Sequence, residues 1–218
     1  MIHLADSAPV ASGNNSAVYR HPDDQSILVK VVRSEAARRQ KARWGFLRGR
    51  RRRFYHLKNF MRVLEEQVAY YAAEGHPSQH LEEVVGLVDT DIGPGLAVRC
   101  ETFRSDIAPT VASLMKSRRL DRSLLPLLDE FFDWLERSPV VVNELGIDNL
   151  VLSDRLPGQL RIVLIDGYGE NAAIPLKSWS QSLNRYDKRQ KAEKLRARLN
   201  AAALSAEDAL DQSLTASG

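Results

Sequence analysis

The sequence predicts an α+β chain of two lobes, the first small and β-rich with one helix, the second reduced and mostly helical. Three observations carry this expectation. Short alternating or apolar runs bounded by turn residues fill the chain to about residue 102, interrupted by helical spacing after Leu57. Helical spacing then takes over. Within that second half, VVVNELGIDNLVLS and QLRIVLID return to extended character.

The elements follow in order. Alternation around Ala17–Arg20, the turn HPDDQ and the apolar run ILVKVV predict a hairpin and a third strand. From Leu57 a stripe of Leu57, Phe60, Met61, Leu64, Val68 and Tyr71 predicts a helix. VVGLVDTD and LAVRCE read as strands separated by IGPG. VASLM and LLPLLDEFFDWLER are helical, the second stopping before Pro139. The turn DRLPG separates two later strands, and a basic amphipathic helix runs from about Trp179 to Leu199. The expected organisation is a first lobe over residues 1–102 with an arginine-rich insertion at about 33–56. A second lobe follows over 103–200, and then a weakly ordered tail over 201–218.

With 218 residues and 44% hydrophobic content the chain has ample material for a packed core. No apolar run approaches the roughly 20 residues that span a bilayer, and MIHLADSAPV lacks a secretory pattern, so a cytoplasmic protein is expected. Cys100 is the single cysteine, and none of the five histidines has ligand spacing with it. No structural metal site is expected. The net charge of +3 hides an asymmetry: Arg33–Arg53 holds ten basic residues against Glu35, leaving 21 basic and 27 acidic residues elsewhere, a net −6.

Four local signals bear on chemistry. ASGNNSAVY, residues 11–19, has Gly13 and Ser16 in a turn whose backbone N–H groups and hydroxyl suit phosphate, although an ordinary hairpin turn fits the same residues. Lys30 interrupts ILVKVV and either faces solvent or meets a negative partner. NELGIDN, residues 143–149, carries Glu144 five places before Asn149, and LIDGYG, residues 164–169, carries Asp166. Asn149 and Asp166 supply hard oxygens suited to magnesium, with a turn-capping asparagine and a strand-end aspartate as the plain alternatives. The order of Gly13, Lys30, Asn149 and Asp166 is that of a two-lobed protein kinase. Against GxGxxGxV only the middle glycine remains. Against HRDxxxxN the aspartate has become Glu144, and DGYG is DFG-like without being DFG.

A kinase lysine pairs with a glutamate on the following helix. With Leu64 as the centre of the apolar stripe, Gln67 lies about 60° away, Glu65 about 100° and Glu66 about 160°. The sequence thus predicts Gln67 facing inward and Glu66 facing away, a weaker clamp on Lys30 because an amide carries no charge, with Glu65 able to substitute after a modest rotation of the helix.

GNNSAVYRHPDD, VKVV, EEQVAYY, IDNLVL and IDGYGENAAIPLKSWS together resemble the protein-kinase-like YrbL family over most of the first 185 residues. IPLKSWS is the diagnostic part, because it stands where ordinary kinases have an activation segment and an APE motif. The resemblance implies a compact two-lobed protein-kinase-like fold and a bacterial regulatory setting in the PhoP network. It also places Gln67, through QVAYY, where a related sequence would carry glutamate.

These residues predict ATP and Mg²⁺ as ligands and weak or specialised phosphotransfer, with Lys30, Glu144 and Asp166 as catalytic residues. Gly13, Ser16, Lys30, Gln67, Asn149 and Asp166 are expected at the nucleotide, and Asn149 and Asp166 at the metal. The acceptor is left open. RGRRRRF, residues 48–54, sets four consecutive arginines around every face of a helix, so the run is solvated or bound to something acidic. Trp44, Phe46, Phe54 and Tyr55 flank it. The rival expectation is therefore a pseudokinase scaffold whose Arg48–Arg53 segment binds nucleic acid, anionic lipid or an acidic protein.

Overall fold

The structure, a computed structural model, describes residues 1–13, 16–33, 57–170 and 175–215, with side chains to residue 204. Arg48–Arg53 and its flanking aromatics lie outside the described residues. The chain divides into two compact units, Met1–Gln67 with Glu83–Cys100, and Val68–Glu82 with Glu101–Gly218.

The first unit is an antiparallel sheet of five strands in the order β1-β2-β3-β5-β4. Its strands are Ala11–Ser12 (β1), Ser16–Arg20 (β2), Ile27–Val32 (β3), Val84–Thr90 (β4) and Gly93–Arg99 (β5). ILVKVV forms β3 because its β-branched residues suit a pleated surface. Val29 and Val31 point to one face and are buried with Leu4, while Lys30 points to the other and is half-buried opposite Val18 and Leu96. The N-terminal segment is fastened to the sheet by the Leu4 amide, which donates to Asp91 Oδ1 at 2.7 Å. That bond, aided by one from Ala5, holds the Asp91 carboxyl below its usual range. Gly95 in β5 is set by packing, since a Cβ there would stand 2.7 Å from Val29 Cγ1.

Helix α1, Lys58–Glu74, forms where helical spacing begins, but its buried face differs from the one expected. Phe60, Val63, Glu66 and Tyr70 are buried, whereas Met61, Val68 and Tyr71 are 43, 68 and 58% exposed. The buried face is rotated about 100° from Leu64. Glu66, expected to face away, is thus buried at 6% exposure, Glu65 is exposed and Gln67 is half-buried. The helix carries two apolar arcs, and packing selects the one through Phe60, Val63 and Tyr70.

The second unit is built on helix α3, Leu125–Arg137, which follows helix α2, Val111–Lys116, and a 3-10 turn, Arg122–Leu124. α3 buries Leu128, Phe131, Phe132 and Leu135 and ends as Ser138 N donates to Trp134 O, just before Pro139. One small hairpin, Thr102–Phe103 (β6) with Asp106–Ile107 (β7), turns through Arg104 and Ser105 at positive φ. Nothing in its two-residue strands announces it in the sequence. A second hairpin, Leu150–Ser153 (β8) with Arg161–Leu164 (β9), is buried at all eight residues. Its two polar members are satisfied by one carboxylate: Glu101 accepts from Ser153 Oγ at 2.5 Å and Arg161 at 3.1 Å, and also from Arg155 Nε at 3.0 Å.

The short helix α4, Leu176–Trp179, leads into α5, Gln181–Thr215. α5 lies beside α3, where Arg196 pairs with Asp129 and Asp133 and Arg189 pairs with Glu136. It continues through residues 201–215, where the sequence predicts a weakly ordered tail. No helix among the described residues is long and apolar enough to cross a membrane. The class is α+β, as expected from the strand-rich start and helical second half.

Candidate functional site

In the first unit, Gly13 and Ser16 close the β1-β2 hairpin through the Gly13 amide, which donates to Ser16 O at 2.9 Å. Asn14 and Asn15 lie outside the described residues. Among the described residues an added Cβ at Gly13 would meet only Ser16 O, at 3.8 Å. Lys30 and the buried Glu66 belong to the same unit. A carboxylate this buried carries a large desolvation penalty unless it is paired or hydrogen-bonded, so Glu66 joins Gln67 as a residue on α1 suited to meet a lysine. Gln67 lies about 40° from the centre of the face that is buried and is half-buried beside it.

The second unit assembles Glu144, Asn149 and Asp166 on two touching loops. The amides of Asn143 and Glu144 both donate to Gly167 O at 2.9 Å, and Gly169 N donates to Val141 O at 2.7 Å. Ile165 N donates to Asn149 O at 2.9 Å, so the strand entering DGYG is tied to the end of NELGIDN. Asp166 Oδ1 accepts from Gly167 N at 2.7 Å, which fixes its carboxylate over its own turn. Tyr168 is buried and its hydroxyl donates to Glu82 at 3.4 Å. Glu144 and Asp166 are exposed and Asn149 is half-buried.

Gly167 is the hinge of this arrangement. It sits at φ +85°, where side chains are strained, and a Cβ would fall 2.2 Å from Glu144 O and 2.8 Å from Asn149 Nδ2. The glycine of DGYG that matters for close approach is therefore Gly167; Gly169, at φ +92°, makes the next turn.

Residues after DGYG fold back onto it. Glu170 accepts from Lys177 N at 3.2 Å, Ser178 N at 2.9 Å and Ser178 Oγ at 2.6 Å. Burial pushes its carboxyl up, but the Ser178 and Lys177 bonds outweigh it and leave the group below its usual range. Asp187 on α5 accepts from Lys177 and Lys191, each at 2.7 Å, and is likewise lowered against the opposing effect of burial.

Helix α5 reaches the catalytic-loop-like segment from the other side. Asn184 Nδ2 donates to the carbonyls of Pro139 and Val140, both at 3.1 Å, Lys188 Nζ to Ser138 O at 2.5 Å, and Lys191 Nζ to Val142 O at 2.7 Å and Asn143 O at 3.0 Å. The sequence predicts only that this helix is basic and amphipathic. The signal it holds beyond that is register: Asn184, Lys188 and Lys191 share the face of the buried Leu195 and Leu199.

The donor set suits magnesium bound with a nucleotide. Asn149 and Asp166 offer an amide oxygen and a carboxylate, and magnesium needs only one or two carboxylate or amide oxygens when phosphates and water complete its shell. No group of three or more His, Cys, Asp or Glu side chains able to hold a metal alone occurs among the described residues.

Comparison with known proteins agrees with this architecture. The kinase domain of Mycobacterium tuberculosis PknI, solved as a single-site mutant, superposes with a TM-score of 0.52 at 15% identity, over 89% of this chain and 73% of that one, which shows a kinase-like fold. The YrbL proteins of Escherichia coli (strain K12) and Shigella flexneri are each 23% identical over 191 residues, 83% of this chain and 80% of theirs. The profile described as PhoP regulatory network protein YrbL matches residues 2–200, and the chain belongs to that family.

Proposed function

We propose that this chain binds Mg-ATP and transfers its γ-phosphoryl group weakly or to a specialised acceptor in bacterial regulation. The docking of NELGIDN on DGYG around Gly167 supports this reading most directly, because it holds Asn149 and Asp166 on two loops that cannot separate without breaking the backbone bonds at Val141, Asn143, Glu144 and Asn149. A cytoplasmic location goes with ATP as ligand.

Bound magnesium would supply charge neutralisation on the transferring phosphate. Asn149 and Asp166 would hold it. Lys30 is assigned to the α and β phosphates, with Gln67 and the buried Glu66 as the α1 residues suited to orient it. Ser16 and the amides near Gly13 are assigned to phosphate oxygens. Glu144 accepts the proton of the acceptor hydroxyl as the new oxygen–phosphorus bond forms and the bond to the β phosphate breaks, releasing ADP. Its extra methylene relative to aspartate shifts the carboxylate by about 1 Å, a displacement that costs on the order of 100-fold in rate unless the loop compensates.

A non-catalytic reading is favoured by two features of the sequence, the altered base at Glu144 and an arginine run with no counterpart in the kinase machinery. In it the chain is a pseudokinase whose Arg48–Arg53 segment holds nucleic acid, anionic lipid or an acidic protein. Calorimetry with ATP, with and without magnesium, on wild type and Asp166→Ala separates the two. Magnesium-dependent binding lost in the variant supports the nucleotide reading, and turnover abolished by Glu144→Gln extends it to catalysis. No binding at millimolar ATP sinks it and leaves the scaffold, whose nucleic-acid form requires affinity that falls steeply with salt.

A further inference from the structure

The segment Ser138–Glu144 is bonded along both edges, and its two edges answer to different parts of the chain. Its amide edge meets DGYG: Asn143 N and Glu144 N donate to Gly167 O. Its carbonyl edge meets α5: Ser138, Pro139, Val140, Val142 and Asn143 all accept from Lys188, Asn184 or Lys191. The one carbonyl skipped, Val141 O, accepts from Gly169 N. Every carbonyl from Ser138 to Asn143 is thus satisfied, all but one by side chains of a single helix 44 to 50 residues away in sequence.

Such an arrangement is costly without purpose. Lys188 is 1% exposed, and a buried ammonium is tolerated only where oxygens surround it. Lys191 is held at both ends, by two carbonyls and by Asp187 at 2.7 Å, and Asp187 is held in turn by Lys177 from the segment that Glu170 folds back. A chain of contacts therefore runs from Glu170, next to DGYG, through Lys177 and Asp187 to Lys191 and the carbonyl of Asn143, the residue before Glu144. Charge-assisted bonds of this length are about twice as strong as neutral ones. The loop has no HRD histidine or arginine to brace it from within.

We propose that Lys191, oriented by Asp187, is a positioning residue that sets the backbone of Asn143–Glu144 and hence the place of the Glu144 carboxylate. The catalytic significance of this role rests on the function proposed above; the mechanical role does not. α5 acts as an external brace for a loop that lacks its own.

Amide hydrogen exchange resolved by residue tests it on the full chain, comparing wild type with Lys191→Met and Lys191→Arg. In Lys191→Met the Asn143 and Glu144 amides should exchange about tenfold faster, with β8, β9 and α3 unchanged, and Lys191→Arg, which keeps charge and donors, should restore most of the protection. Unchanged exchange at both amides overturns the proposal, and so does acceleration spread evenly over β8, β9 and α3, which marks a merely structural lysine. If Lys191→Met does not fold, Asp187→Asn decides by the same criterion with a smaller expected effect. Where wild type turns over, Lys191→Met should lower kcat about tenfold at constant KM for ATP; a raised KM at constant kcat contradicts positioning of Glu144. Failure of wild type to bind Mg-ATP defeats the proposed function and leaves the exchange result to judge the brace.

Discussion

The ASGNNS turn of the first unit and the paired NELGIDN and DGYG loops of the second carry the two sets of residues suited to phosphate and metal, and they are held in opposite ways. The turn closes through one described backbone bond, Gly13 N to Ser16 O, and no described residue crowds Gly13. The paired loops are bonded along two edges, and Gly167 leaves no room for even a methyl group. A glycine's place in a motif is thus a weak guide to its necessity, whereas the backbone it touches is a strong one.

Gly167→Ala should break this contrast most severely. The new Cβ meets Glu144 O at 2.2 Å in a left-handed backbone, so the loops must part, at about 3 kcal/mol or more in unfolding free energy by urea denaturation. A loss under about 1 kcal/mol would show that the loops separate freely. On α1 the contrast lies between neighbours. Glu66→Ala should cost about 2–4 kcal/mol because it leaves the groups that satisfy the buried carboxylate unpaired, while Glu65→Ala should stay within about 0.5 kcal/mol; equal effects would restore the apolar-stripe orientation.

Acid should loosen the second unit's brace, as it should the Asp91 bond that fastens the N-terminal segment in the first unit. Asp187 and Glu170 have carboxyls lowered on folding, so the stability they confer is present above their unfolded values of about 4 and is lost as pH falls through the lower folded values. Acid titration followed by near-ultraviolet circular dichroism should show a transition below about pH 4 that Asp187→Asn reduces; an unaltered transition would remove Asp187 as its source. Gly13→Ala should do least, within about 1 kcal/mol in stability, because its neighbourhood accepts a methyl group. A larger loss would mean that the turn is as constrained as the paired loops.

Much of the fold was legible because its signals are local. ILVKVV alternates across a pleat, LLPLLDEFFDWLER repeats every turn and stops before Pro139, and both became the elements expected. The two-residue strands β6 and β7 were not legible, since they are too short for any periodicity. Of the candidate site, Lys30, Asn149, Asp166 and the substituted Glu144 are singled out by spacing. The burial of Glu66 is not legible, because two apolar arcs on α1 compete and the sequence ranks them by hydrophobicity alone.

The sequence by itself determined the α+β class, the order of the main elements, the family and the residue types available for phosphate and metal, all of which follow from short-range periodicity and motif spacing. Tertiary structure alone decided which arc of α1 is buried, why Gly167 tolerates no side chain, and that Asn184, Lys188 and Lys191 grip the carbonyls of Ser138, Pro139, Val140, Val142 and Asn143. The physical reason is common to all three. A helix's rotation, a glycine's crowding and a carbonyl's partner are set by whatever chain arrives from tens of residues away, and periodicity along the sequence carries no record of that arrival.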